Sequence, residues 1–321
     1  MPSPDHPLIS FVLLAYNQEK FIRGAVEGAL SQTYSPLEIM LSDDCSNDRT
    51  FEIMREMATA YKGQHKIVLN RNSQNLGLVR HYNRVLQLAS GEIVEPAAGD
   101  DVSMPQRTEK SWQVLHEHPD AMCVSFAAQQ IDAGGNLIIT GYKENRQVNR
   151  YSIQNYFTDL TFHLNGATRA FRKSVMTTFG PFRPKCPTED STTLLRCLLL
   201  GNAYYSNEFA IYYRIHGGSL SAPINLHQMK HVEIYKQYKR DIRFACEHDF
   251  ISADLASKLA VRMRLGFRRR VLNAKLYQSG FSLHSTLAIM CSDSYSRKEK
   301  LFLFKQTVRR AVKKQFHCRP T

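Results

Sequence analysis

Two adjacent carboxylates, Asp100 and Asp101, close the run A-S-G-E-I-V-E-P-A-A-G-D-D. They follow Gly99 and the apolar segment Ile93–Ala98, and no Lys or Arg is their close neighbour in sequence. Like charges side by side repel, so a pair at the end of a strand makes chemical sense when a divalent cation neutralises it. Hard cations such as Mg²⁺ or Mn²⁺ take oxygen ligands, commonly one or two carboxylates together with substrate phosphates. Gly99 allows close backbone approach at that point. Two further polar clusters, Tyr16-Asn17 and Asp43-Asp44, also stand directly behind apolar segments.

The elements that must carry these clusters are legible from patterning. Leu8–Ala15 is apolar on both faces, the signature of a buried parallel strand. Phe21–Gln32 has helical spacing, Leu37–Leu41 is a second strand, Phe51–Tyr61 an amphipathic helix, Lys66–Asn70 a third strand, and Asn83–Ala89 part of a third helix. The strand Ile93–Ala98 comes next. Alternation at this spacing predicts right-handed βαβ units and a mostly parallel sheet. Ligands of such sheets bind beyond the carboxyl ends of the strands, and all three polar clusters belong there.

Further along, a helix is expected over Gln106–Glu117, a strand over Met122–Ala127, and a hairpin turning at Gly134-Gly135. Residues 142–160 are polar without periodicity and read as a loop. Asn165-Gly166 opens a strand that runs into a helix near Lys173. In P-T-E-D-S-T-T-L-L-R-C-L-L-L-G, Thr188 is the expected N-cap, Glu189 and Asp190 occupy the first turn, and Gly201 ends the helix. Ala210–Ile215 is a short strand leading into R-I-H-G-G-S-L-S.

A chain of 321 residues accommodates one large α/β domain with an appendage. Seven scattered Cys without C-x-x-C pairing argue against a disulfide framework or zinc site and for a reducing compartment. The first residues lack the basic flank of a signal peptide, and no apolar run reaches the roughly 18 residues that span a bilayer. A cytoplasmic protein is expected, with peripheral attachment to the inner face of a membrane as an option. The net charge of +13 is uneven: residues 1–224 hold 21 Lys and Arg against 22 Asp and Glu, residues 225–321 hold 21 against 7. A boundary is therefore expected near Pro223, with the basic surface on the C-terminal side.

Six segments together resemble the family 2 glycosyltransferases of the glycosyltransferase-A fold: F-V-L-L-A-Y-N-Q-E-K-F-I, S-D-D-C-S-N-D-R-T, N-L-G-L-V-R-H-Y-N, A-A-G-D-D, T-E-D and Y-Y-R-I-H-G-G-S-L-S. The likeness covers roughly residues 7–221. It implies a single α/β, Rossmann-like catalytic domain over 1–224, with a nucleotide-binding half to about 105 and an acceptor half to about 224, followed by a basic helical extension over 225–321. It implies that Tyr16 packs on the nucleotide base and that Asp44 hydrogen-bonds it. A carboxylate there accepts from an imide N–H, which suits uracil or thymine. Asp101 matches the direct metal ligand, Asp100 its partner toward the ribose or a bound water, and Asp190 the general base. Glu189 stands with the substrate-binding residues, His216 with the metal shell or the phosphates, and Arg214 and Arg80 with phosphate contacts. Tyr82 occupies the position where the family more often has Arg, before Asn83, so Arg80 is the substitute candidate.

The resemblance thus implies an inverting, Mg²⁺- or Mn²⁺-dependent transfer from a UDP- or dTDP-type sugar to a saccharide or lipid-linked saccharide, as in surface polysaccharide synthesis. Arg196 reads as support for the fold. Two other classes were weighed. A sugar-phosphate nucleotidyltransferase wants a Gly-rich loop with Arg and Lys after the first strand, where A-Y-N-Q-E-K stands instead. A nucleic-acid-binding module is disfavoured because the positive charge is segregated from the acidic cleft and no basic-aromatic strand motif occurs. Helices over Val232–Cys246 and Ala256–Tyr277, and the Phe- and Leu-bearing basic segment 301–316, suit the surface of an anionic membrane.

Overall fold

The computed structural model describes residues 6–138, 144–158, 164–218, 225, 228–279 and 283–305. The chain begins with β1 (Ile9–Ala15), α1 (Ile22–Leu30), β2 (Leu37–Asp43), α2 (Thr50–Ala60), β3 (Lys66–Arg71), α3 (Leu78–Leu88) and β4 (Ile93–Ala98). This is the βαβ series expected from patterning, and its four strands pair in parallel in the order β3-β2-β1-β4. The apolar stretch of β1 is divided between two faces, as alternation along a strand requires. Ile9, Phe11, Leu13 and Ala15 pack with α1 and α2, whereas Val12 joins the opposite core with Val79, Tyr82 and Val85 of α3.

The second half is mixed. β5 (Val102–Ser103), α4 (Arg107–Glu117), β6 (Ala121–Ile131), β7 (Val148–Tyr151), α5 (Ile153–Thr158), β8 (Ala170–Arg172), α6 (Ser174–Phe179), α7 (Asp190–Leu200) and β9 (Asn202–Arg214) follow. β8 lies antiparallel between β4 and β6, β6 and β9 are parallel, and β5 and β7 both pair antiparallel with β9. The uninterrupted parallel pairing expected for the whole sheet is thus confined to the βαβ-built half, and the second half mixes the parallel β6–β9 pair with antiparallel neighbours. Of the polar stretch 142–160, the described part contains β7 and the short helix α5, while 142–143 and 159–160 lie outside the described residues. β9 is much longer than the expected 210–215, because its first residues are polar-alternating and sit between β6 and β7.

The helices α8 (His231–Glu247), α9 (Ala253–Ser279) and α10 (Leu283–Met290) follow, and the described chain ends in a helical stretch over 297–305. Ile234, Tyr238, Ile242, Ala245, Leu259 and Met263 belong to the same core cluster as α3, α6 and α7. Arg196 of α7 is fully buried and donates through Nε and Nη2 to both oxygens of Asp241 on α8, at 2.9 and 3.1 Å. Residue 224 therefore marks a change of charge, while packing continues across it. Of the basic segment 301–316, residues 306–316 lie outside the described residues.

Candidate active site

The register of the parallel half fixes where the polar clusters fall. Ala15 pairs with Asp43 and Leu14 with Ala98, so continuing the register puts Tyr16, Asp44 and Asp100 at one level, one residue beyond Ala15 and Asp43 and two beyond Ala98. Neighbouring strands lie about 4.8 Å apart, which puts the three clusters along about 10 Å of one rim. Gly99 is required there. A Cβ on it would lie 2.4 Å from Gln18 Oε1 and 3.0 Å from the Ala15 Cβ, inside the loop that follows β1.

Asp101 is 7% exposed, and its Oδ1 accepts the backbone N–H of Arg214 at 2.8 Å. Burial, and then the neighbouring charge of Asp100, push its carboxyl up to about 7, against the hydrogen bond from Arg214 and the Arg107 and Arg214 cations. His216 Nε2 sits 2.9 Å from Asp100 Oδ2, and its ring packs on Phe21 with centroids 4.7 Å apart. Arg214 is spent partly on architecture. Its Nε donates to the Asp100 carbonyl and its Nη1 to the carbonyls of Asp132 and Ala133, leaving Nη2 without a hydrogen bond among the described residues. Arg107, which sequence reasoning passed over, is buried beneath this turn. It faces Glu95 at 3.2 Å and donates to Ser103 and the Pro96 carbonyl. Six positions separate it from Asp101, and only the fold of α4 back along β4 reveals the pairing.

These residues fit a hard divalent cation. Two adjacent carboxylates are held at a strand end with their repulsion unrelieved, since one of them is driven toward its neutral form. Among the described residues no three His, Cys, Asp or Glu side chains form a ready metal cluster. What the chain offers is a pair of carboxylate oxygen donors, a set that suits a hard cation when substrate phosphates and water complete it.

Asp44 is buried and engaged. Its Oδ1 accepts from Asn72 Nδ2 at 2.8 Å and from the Leu76 N–H at 2.9 Å, and its Oδ2 accepts the Gly77 N–H at 2.8 Å. A carboxylate offers about four acceptor directions, so one remains. Asp43 is structural: it accepts from the Ser46 hydroxyl and backbone N–H and faces Arg71 at 3.4 Å. Tyr16 is 42% exposed on the rim. Its loop is stapled to the one after β2, with the Asn17 N–H on Ser46 Oγ, the Gln18 N–H on Thr50 Oγ1 and the Asn47 N–H on Asn17 Oδ1.

Asp190 opens α7; Glu189 rather than Thr188 is the residue before its first turn. Asp190 Oδ1 accepts from Arg169 Nη1 at 2.7 Å, and the same nitrogen reaches the Asp190 carbonyl at 2.8 Å. Arg169 is itself buried and further anchored on the Leu164 carbonyl. A Cβ on Gly166 would meet Asp190 Cγ at 2.3 Å, so this glycine makes room for the carboxylate. The antiparallel pairing of Arg172 with Ile93 and Phe171 with Val94 carries the residues before Ala170 toward the carboxyl end of β4. Asp190 is held by these residues, on the side of β8 toward which β4 ends in Asp100 and Asp101. Glu189 has Oε2 sealed from solvent without a hydrogen-bond partner among the described residues, and burial with the Asp190 charge raises its carboxyl to about 7. Arg80 lies apart from the carboxylates, exposed on α3, with Nε on the Leu76 carbonyl. It lines a rim cleft of about 550 Å³ between Leu76–Arg80 and Pro184–Pro187, the segment that delivers Asp190. Gly166, Arg169, Arg107 and Asn72 are site residues that pattern reading did not pick out. Asn165-Gly166 alone carried a signal, as a close-approach dipeptide.

The family model described as glycosyl transferase family 2 matches residues 10–179. The UDP-Glc:alpha-D-GlcNAc-diphosphoundecaprenol beta-1,3-glucosyltransferase WfaP of Escherichia coli is 27% identical over 216 residues, 67% of this chain and 80% of that protein. The chain spans less than half the length of several other curated relatives it matches. Among solved structures, S. aureus TarS 1-349 in complex with UDP-GlcNAc superposes with a TM-score of 0.56 at 15% identity, covering 93% of this chain and 90% of that one. The mannosyltransferase PcManGT from Pyrobaculum calidifontis, in complex with GDP-Man and Mn²⁺, gives a TM-score of 0.54 at 15% identity, covering 98% and 88%.

Proposed function

Because the chain belongs to glycosyl transferase family 2, we propose that this glycosyltransferase moves a sugar from a UDP- or dTDP-type donor to a hydroxyl of a saccharide or lipid-linked saccharide, inverting the anomeric carbon. The observation that supports the reading is that β4 ends in Asp100 and Asp101 while the antiparallel β8 runs the residues that hold Asp190 toward that same end. Asp101 with Asp100, and His216 beside them, would hold Mg²⁺ or Mn²⁺, which when bound supplies positive charge to the leaving diphosphate. Asp190 takes the proton from the acceptor hydroxyl as that oxygen attacks the anomeric carbon from the face opposite the diphosphate. Displacement from that side inverts the centre. General-base assistance of this kind is worth roughly 10²–10⁴-fold. Arg169 fixes the orientation of the carboxylate, and Glu189 lines the same turn.

On the donor side, Tyr16 covers the base and the remaining acceptor direction of Asp44 takes an imide N–H. Support for a uridine donor comes from WfaP and from the UDP-GlcNAc complex of TarS. Nη2 of Arg214, without a hydrogen bond among the described residues, is the cation offered to the donor phosphates, and Arg80 lies apart from them. The catalytic region is assigned to 1–224 and the basic helical region to 225–321. Leu301, Phe302 and Phe304 are exposed among its cations, which supports peripheral contact with an anionic membrane on the cytoplasmic face. No helix among the described residues is long and apolar enough to cross a membrane.

A thermal-shift panel of nucleoside diphosphates with and without Mn²⁺ tests the donor assignment, since a ligand of the folded state stabilises by mass action. UDP or dTDP should raise the midpoint only with the metal, and Asp101→Ala should abolish that rise. A nucleotide shift indifferent to metal and to Asp101→Ala would overturn the donor assignment.

A further inference from the structure

Beside the rim cleft lies a second groove of about 340 Å³ that no part of the transfer reaction uses. One wall is α3, where Arg80, Arg84 and Gln87 recur at the spacing of a single helix face. From Arg80 to Gln87 that face extends about 10 Å. The other walls are the 181–184 segment and α8, which bring Arg183 and Arg240 to the same space. Four arginines therefore border it, and none of its lining residues is acidic.

Their charge is poorly compensated. Arg80 Nε donates to the Leu76 carbonyl, and Arg240 donates to the carbonyls of Pro181 and Phe179. These anchors orient the side chains without neutralising them. Arg183 alone has a carboxylate in reach, Glu233 Oε2 at 3.5 Å, and the described residues give Arg80, Arg84 and Arg240 none. Clustering like charges is unfavourable, and planar forks of N–H donors suit the oxygens of a phosphate.

The groove is also rigid. Asn83 locks its floor by donating Nδ2 to the Phe182 carbonyl at 2.8 Å while accepting the Phe182 N–H at 2.9 Å. Gln237 of α8 accepts the Arg183 N–H at 2.8 Å. A preformed site loses less freedom when its ligand binds.

Its position gives the ligand a role. Groove and rim cleft share Arg80 and Pro184, and the cleft continues into the segment that ends at Asp190. We propose that the groove binds a diphosphate or phosphodiester group of the acceptor, holding the anionic part of that molecule while its hydroxyl lies at Asp190. This rests on the assignment of Asp190 to the acceptor side. The donor's own phosphates belong to Asp100 and Asp101, which line neither the groove nor the rim cleft.

Inorganic pyrophosphate is the probe, titrated calorimetrically into the full chain in EDTA, so that the metal-dependent donor site is silent. Wild type should bind it, and Arg84→Glu should weaken binding at least tenfold. Arg84 is exposed and makes no ion pair among the described residues, so this variant keeps the fold. Arg240→Ala should weaken binding several-fold, with its thermal midpoint recorded because two backbone anchors are lost. Asp101→Ala should leave pyrophosphate binding unchanged, and Arg84→Glu should leave the Mn²⁺-dependent nucleotide shift unchanged. The two readouts separate failure of the groove from failure of the donor assignment. Saturating UDP with Mn²⁺ separates acceptor phosphate from donor phosphate: pyrophosphate should still bind. No binding by wild type, undiminished binding by Arg84→Glu, or displacement by UDP would each overturn the proposal.

Discussion

Gly166→Ala tests the assignment of Asp190 without touching its carboxylate. Gly166 is not among the described glycines with positive φ, which are Gly77, Gly135 and Gly180, so an added methyl strains no backbone there. It acts by volume alone. The new Cβ would sit 2.3 Å from Asp190 Cγ and Oδ1 and 2.7 Å from Oδ2, whereas carbon atoms rest at roughly 3.5–4.0 Å. The carboxylate must retreat by about 1 Å, which also disturbs its 2.7 Å bond from Arg169. Misplacing a reacting group by about 1 Å costs on the order of 10²-fold in rate. The assay is release of nucleoside diphosphate from a nucleotide-sugar panel in the presence of acceptor, with the Mn²⁺-dependent nucleotide shift as a control for donor binding. We expect kcat to fall about 10²-fold with that shift intact. Asp190→Asn should fall by roughly 10²–10⁴-fold, and the double variant should be no slower than Asp190→Asn, because residues acting through one group do not add. A further loss of about 10²-fold on adding Gly166→Ala to Asp190→Asn would refute the reasoning, as would unimpaired turnover in Gly166→Ala alone.

Asp44→Ala strips Asn72 Nδ2 and the Leu76 N–H of their acceptor and leaves the Gly77 N–H with Asn75 Oδ1 alone, and should cost about 2–4 kcal/mol in urea unfolding while weakening nucleotide binding. Retained nucleotide affinity would remove Asp44 from the base site. The Glu189 carboxyl, raised to about 7 in the folded chain, binds its proton less readily once unfolded, so its contribution to stability falls as pH rises from about 4.5 to 7. The loss reaches about 3 kcal/mol. Glu189→Gln removes that component, so its stability relative to wild type should rise over this window; a difference constant from pH 5 to 8 contradicts the buried carboxyl. Arg196→Met leaves Asp241 buried and unpaired and should destabilise by about 3–5 kcal/mol, most of it recovered when Asp241→Leu is added.

The parallel half of the sheet was legible because buried strands and amphipathic helices alternate there with polar residues confined to the strand ends. Once β1, β2 and β4 were placed, the rim positions of Tyr16, Asp44 and Asp100 followed. The second half hid its strands. β7 lies in the polar run around V-N-R-Y, and the first part of β9 is N-A-Y-Y-S-N-E-F, without a continuous apolar signature. Helix α3 begins at Leu78, five residues earlier than the expected 83, because G-L-V-R-H has no capping side chain to announce it. The partners of the candidate base were invisible for another reason. Gly166 and Arg169 precede Asp190 by more than 20 positions, and their roles come from a volume conflict and a buried ion pair that only tertiary contact creates.

The same cause explains why the polar motifs of the rim look like solvated turns in sequence and are not. N-Q-E after β1 and D-C-S-N-D-R-T after β2 each contain the side chains that the other's backbone lacks. Asn17 and Gln18 donate their N–H groups to Ser46 and Thr50, Glu19 donates to Asp48, and in return the Asn47 and Arg49 N–H groups find Asn17 Oδ1 and Glu19 Oε2. The loop after β2 also bonds within itself, from Ser46 to Asp43 and from Thr50 to Asp48, and the exchanged bonds tie the two loops together. Asn17 and Cys45 are held at φ of 50° and 61° within this lock, a conformation that non-glycine residues adopt only when their surroundings enforce it. The exposed ring of Tyr16 therefore stands on a rigid base set by two strands, and its position beside Asp44 is fixed before any nucleotide arrives.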